Sequence, residues 1–195
     1  MLTTGWAVAL TAIFGGTGAY CVARLATRRW AGIGTIVDLN HVAMSVAMLV
    51  MVWWPSFGGG TWPQVAVFAG VGVVFVHHLA GSETIAARAG ALAHVVMNGG
   101  MVWMLVAMPA LMAAGGMAGL DAMAGMHHGG GSDVSSGVQA WVTMLTWDVV
   151  VVLALGAVWW IVQAVRTRGH RVLCGCHGLA CAGMAGMLAL MTPAL

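Results

Sequence analysis

Six apolar runs, each about long enough to cross roughly 30 Å of hydrocarbon, leave this chain little choice but a bundle of membrane-spanning helices. They lie at approximately 5–25, 34–54, 64–80, 91–113, 138–165 and 172–191, the third being the shortest. None alternates with period two, and all exceed the length of a barrel strand, which excludes a transmembrane β-barrel. Composition agrees: 61% of the residues are hydrophobic and only 6% are charged. A soluble domain carries about 25% charged residues and could not cover its surface with so few. The expected fold class is therefore all-α. It is a polytopic membrane helical bundle of about six transmembrane helices, one integral domain over residues 1–195.

The arginines set the expected orientation. Arg24, Arg28 and Arg29 follow the first run, Arg88 the third, and Arg166, Arg168 and Arg171 the fifth, and the chain has no lysine. The segments PSFGGGTWPQ and GGMAGLDAMAGMHHGGGSDVSSG carry no basic residue. Positive charge stays on the cytoplasmic side, so the odd connections are expected inside and both termini outside. The leading MLTTGW has no positive charge, which predicts an uncleaved first helix rather than a signal peptide. Trp53, Trp54 and Trp62 around the first outer loop, and Trp159 and Trp160 near an inner boundary, read as interfacial anchors. Twenty-nine glycines predict closely packed helices, since small residues let backbones approach. The Gly-rich outer segment near 115–137 is expected to be a flexible loop. A lysine-free chain rich in Gly, Ala and Val fits a high-GC bacterial genome. Cys21, Cys174, Cys176 and Cys181 lie in or beside apolar segments and suggest no disulfide framework.

Within these runs one pattern recurs. HVAMSVAMLVM begins at His41 and places Met44, Met48 and Met51 at offsets of three, seven and ten. HVVMNGGMVWM begins at His94 and repeats those offsets with Met97, Met101 and Met104, and Met108 follows. HGLACAGMAGM begins at His177 and keeps the last two as Met184 and Met187, with Ala180 where the first methionine would be and Cys181 beside it. At about 100° per residue the offsets 3, 7, 10 and 14 fall at roughly −60°, −20°, −80° and −40° from the histidine, a single stripe. All three stripes are on even-numbered runs, so each histidine is expected near the inner end with its methionines climbing outward. The chain thus reads as three helical hairpins with similar second helices.

Thioether, thiolate and imidazole favour Cu(I) over hard cations. Uncharged thioethers can hold a monovalent ion without burying anionic side chains, and several weak rungs in series would let an ion enter and leave. Further candidates lie around the stripes. His77 and His78 end the third run at the expected level of the other histidines. Asp38, one turn before His41, is placed to orient its ring. Cys174 and Cys176 flank the start of the sixth run. Met126, His127 and His128, near Met117, Asp121 and Met123, form a candidate capture site in the outer loop. Asp148, near the middle of the fifth run, is a functional candidate because a carboxyl at that depth is costly. Each feature also has a plainer explanation. Methionine at helical spacing is often packing, buried cysteines are often small core residues, and His170 in a basic loop is expected to be solvated.

The His-then-Met helices on alternate runs resemble an actinobacterial family of small multi-pass membrane proteins of unknown function. That resemblance covers nearly the whole chain and implies a bacterial plasma-membrane protein without supplying an activity. The chain is also similar, more distantly, to membrane components of bacterial copper-resistance systems, from which no residue role is carried over.

The leading functional expectation is a membrane protein that binds or moves copper as Cu(I). The alternatives are a b-type haem electron-transfer protein and a non-catalytic subunit or assembly factor of a membrane complex. No nucleotide-binding Gly-rich loop and no hydrolase or kinase motif suggests an enzyme. Seven arginines placed as topology signals form no nucleic-acid-binding patch. Lipid, and a partner within a membrane complex, are the expected surroundings.

Overall fold

Each apolar run forms one helix. The computed structural model describes residues 4–27, 32–54, 61–121, 132–167 and 169–192. The helices are α1 (Thr4–Thr27), α2 (Ile33–Trp53), α3 (Thr61–Gly81), α4 (Ile85–Asp121), α5 (Ser132–Arg166) and α6 (Arg171–Met191), with no strand among the described residues. All six are long and apolar enough to cross a membrane.

Local chemistry sets the ends. Gly32 precedes α2 at φ 74°, a left-handed conformation that side chains disfavour. Trp54 leaves α2 at φ −132° because Pro55 follows and crowds a helical conformation. Pro63 lies in the first turn of α3, where no intrahelical donor is lost. The Thr84 hydroxyl caps α4 by accepting from the Ala87 N–H at 3.2 Å. At the far end of α6, Thr192 turns both its N–H and its hydroxyl onto the Leu188 carbonyl, at 3.0 and 2.7 Å.

The expected boundaries hold to a few residues except at the start of α4, which begins at Ile85 rather than 91, and around the Gly-rich segment. There α4 continues to Asp121 and α5 begins at Ser132, so residues 115–121 and 132–137 are helical rather than loop. Ala, Leu and Met dominate the tail of α4, and their helix propensity carries it past Pro109 and its glycines.

Sequential helices pair as antiparallel hairpins, α1 with α2, α3 with α4 and α5 with α6. Contacts of α4 with α5 and of α6 with α1 and α4 join the hairpins, with a smaller α2–α3 contact. The second helix of each hairpin lies inside. In their most apolar stretches α2, α4 and α6 bury 44, 56 and 61% of residues, against 28, 11 and 11% for α1, α3 and α5. Valines and leucines of α3 and α5 such as Val73, Val76, Leu155 and Val158 face outward, as a lipid-facing surface requires.

Glycine provides the close approaches. Gly178 of α6 lies against α5, where an added Cβ would come within 3.3 Å of the Ala157 carbonyl oxygen. Gly183 lies under the Phe14 ring of α1, where a Cβ would come within 2.7 Å of the ring. Phe14 is itself 1% exposed and cannot swing out. We therefore expect Gly183→Ala to cost about 1–3 kcal/mol through overpacking. Gly186→Ala, where a Cβ meets nothing within 4 Å, should raise stability by about 0.4–1 kcal/mol. Thermal unfolding of the two variants in detergent tests this, and equal midpoints would contradict the α1–α6 packing.

Candidate metal centre

His41 of α2, His94 of α4 and His177 of α6 meet inside the bundle at 1, 5 and 2% exposure. One ring nitrogen from each lies within 4.8 Å of the others. The His41 and His177 rings are stacked at 4.2 Å and 25°. His94 stands edge-on to both, at 5.5 and 5.1 Å. Three nitrogens about 2.0 Å from a shared ion sit roughly 3.4 Å apart, so small rotamer shifts would close the trio around one ion.

Backbone chemistry fixes two of the rings. The Nδ1–H of His41 donates to the Val37 carbonyl at 2.9 Å, and that of His94 to the Gly90 carbonyl at 2.7 Å. A carbonyl oxygen only accepts, so each Nδ1 carries the proton and each Nε2 presents a bare lone pair. Both Nε2 atoms are buried without a hydrogen-bond partner, as are both ring nitrogens of His177. The Oδ1 atoms of Asn40, beside His41, and of Asn98, one turn beyond His94, share that state. Buried polar groups are nearly always paired, so such a concentration marks a place for an ion or a polar ligand.

Two aromatic walls enclose the trio. Phe75 of α3 stacks on His94 at 4.8 Å and 22°. Trp160 of α5 stands edge-on to His177 at 4.5 Å and to His94 at 5.8 Å. Neither was singled out as a site residue from sequence. Trp160 was expected at an interface, yet it turns inward at 9% exposure while its neighbour Trp159 is 42% exposed. Successive residues point about 100° apart, so only one tryptophan of the pair can face out, and the hairpin register decides which.

The three methionine stripes converge. Met44, Met48, Met51, Met97, Met101, Met104, Met108, Met184 and Met187 all belong to one buried core cluster. The Asn40 amide donates to the Met44 sulfur at 3.8 Å. Other expected residues lie elsewhere. His78 is half-buried and His77 exposed near the end of α3, and among the described residues the candidate metal-binding group holds neither. Cys181 is buried against Gly156 of α5, where an added Cβ would be 3.7 Å from its sulfur, and is not in the trio. All four cysteines are free thiols. Asp38 does not orient His41: the Val37 carbonyl does that, and the Asp38 carboxylate meets Arg24 at 3.4 Å. Asp148 lies on the exposed face of α5, about 18 Å along the helix from Trp160, far from the histidines. His170 is exposed in the α5–α6 turn, as expected. Met126, His127 and His128 lie outside the described residues.

The fold and site together define a bundle of six span-length apolar helices around a buried cluster of three histidines. The chain belongs to a family described as a domain of unknown function, DUF5134, whose family model matches residues 33–191 and so takes in α2 to α6. No curated protein and no solved structure matches it.

In the metal-free protein, ¹⁵N NMR of His41 and His94 should show a protonated Nδ1 and a bare Nε2. An Nε2–H signature on either ring would overturn this assignment of donors and lone pairs.

Proposed function

We propose that the chain is a multi-pass protein of a bacterial plasma membrane that binds copper as Cu(I) at His41, His94 and His177 and passes it along its methionine-lined interior. The observation that carries this reading is the meeting of three imidazoles with orphaned nitrogens at the foot of three converging methionine stripes. The described arginines, Arg24, Arg88, Arg166 and Arg171, lie at the histidine end of the bundle, so we infer that this end faces the cytoplasm and both termini lie outside.

The apolar setting argues for a monovalent ion. Three neutral imidazoles leave the ion's charge uncompensated, and the cost of burying a charge rises with its square. Thioethers along the same helices suit a soft ion such as Cu(I). No carboxylate or thiolate joins the histidine group among the described residues. The ring geometry disfavours the haem alternative. Axial ligands flank the two faces of a macrocycle, whereas His41 and His177 stack directly on one another at 4.2 Å. Met126, His127 and His128 remain a proposed capture site on the outer side.

Cu(I) binding to detergent-purified protein, measured by competition with a chromophoric chelator under reducing conditions, tests this reading. We expect at least one Cu(I) per chain and a loss of at least tenfold in the affinity of the histidine-bound ion for His41→Gln and His94→Gln, with size-exclusion profiles unchanged. No copper bound to the wild type, or wild-type affinity in both variants, would sink it. A haem absorption band in the purified protein would revive the alternative.

A further inference from the structure

Above the histidine centre, we infer that the bundle contains two stacked thioether triads, Met48/Met101/Met184 and Met51/Met104/Met187, which serve as alternative stations for one soft monovalent ion. The inference rests on the copper reading and gives its path discrete sites. The three inner helices run in the same direction, and the trio fixes His41, His94 and His177 at one level. Equal offsets along parallel helices are then equal heights. The residues seven beyond each histidine lie about 10.5 Å above it, and those ten beyond lie about 15 Å above it. Both levels carry methionine on all three helices. The level three residues above has only Met44 and Met97, with Ala180 as the third position.

All six triad methionines are buried, from 0 to 7% exposed, in a single core cluster. The backbone of α2 stays back from those of α4 and α6, so side chains span the gap, as His41 does toward His94 and His177. Unbranched methionine can place its sulfur well out from its own helix, toward a shared centre. Among described residues the outer helices α1, α3 and α5 carry one methionine, Met144, which is 63% exposed. The core methionines all come from α2, α4 and α6.

Three uncharged sulfurs can take a monovalent soft cation without proton release or a buried anion. The triads are only about 4.5 Å apart in height, and two like charges at that distance repel strongly in low dielectric. Hence the two levels share one ion, while the histidine centre, about 10 Å below, holds another.

Silver(I), a redox-stable probe of Cu(I) chemistry, tests this on the purified full chain by elemental stoichiometry and X-ray absorption. The wild type should bind two ions. The variant His41→Gln/His94→Gln/His177→Gln should keep one, with sulfur neighbours alone. Met48→Leu/Met101→Leu/Met184→Leu, a swap of similar volume, should keep two with about twofold weaker binding of the second, since one of two like stations is removed. Leucine at all six positions should leave one ion with nitrogen neighbours. A wild type holding one nitrogen-bound ion, unaffected by the triple leucine variant, would return the methionines to packing and leave the histidine reading standing. Complete loss of the second ion in that triple variant would overturn the two-station arrangement. A histidine variant that still binds two sulfur-coordinated ions would remove the histidine centre and leave the thioether sites supported.

Discussion

The contact among three imidazole rings inside an apolar bundle is the constraint on which the arrangement depends. His41, His94 and His177 come from three different hairpins, so their meeting fixes the relative height and rotation of α2, α4 and α6. It also concentrates polar atoms where none can reach water. An orphaned buried donor or acceptor costs about 1–3 kcal/mol, and four ring nitrogens are in that position. A fold optimised for stability alone would fill this volume with leucine and phenylalanine. Keeping histidines there is understandable if their lone pairs are used.

The two layers of the bundle divide the work. α3 and α5 present valine and leucine outward and bury little, while α2, α4 and α6 hold the histidines and methionines. α1 supplies Leu10 and Phe14 to the core and carries Arg24, which meets Asp38 at the histidine end. The near-symmetry of the hairpins is broken at α6. His177 lacks the Nδ1-to-carbonyl bond that holds its two counterparts, and the first methionine of its stripe is replaced by Ala180. The least restrained ring is also the one stacked on His41 and enclosed by Trp160, so neighbours from other helices do what its own backbone does not.

Where residues lie relative to the centre was only partly readable from spacing. The heptad-like offsets placed the histidines and methionines on one face of each helix, and that face is the buried one in all three. Asp38 shares a face with His41, but Arg24 on the neighbouring helix captures its carboxylate. Cys181 is one turn from His177, but it turns to the close contact with α5 at Gly156. Asp148 is near the middle of α5 by residue count. Because α5 extends far past the end of α6, that midpoint lies well away from the histidine level.

By itself the sequence determined the number of helices, their approximate limits, and the histidine–methionine face of each inner helix. These follow from run length and from a period of 3.6 residues, both local properties of the chain. Only the tertiary structure decided that the three faces converge, that Phe75 and Trp160 wall the centre, and that Val37 and Gly90 set the histidine tautomers. Convergence depends on how each hairpin rotates and slides against the others. That is set by glycine contacts such as Gly178 on Ala157 and Gly183 on Phe14, which join residues far apart in the chain and leave no periodic signal within any one helix.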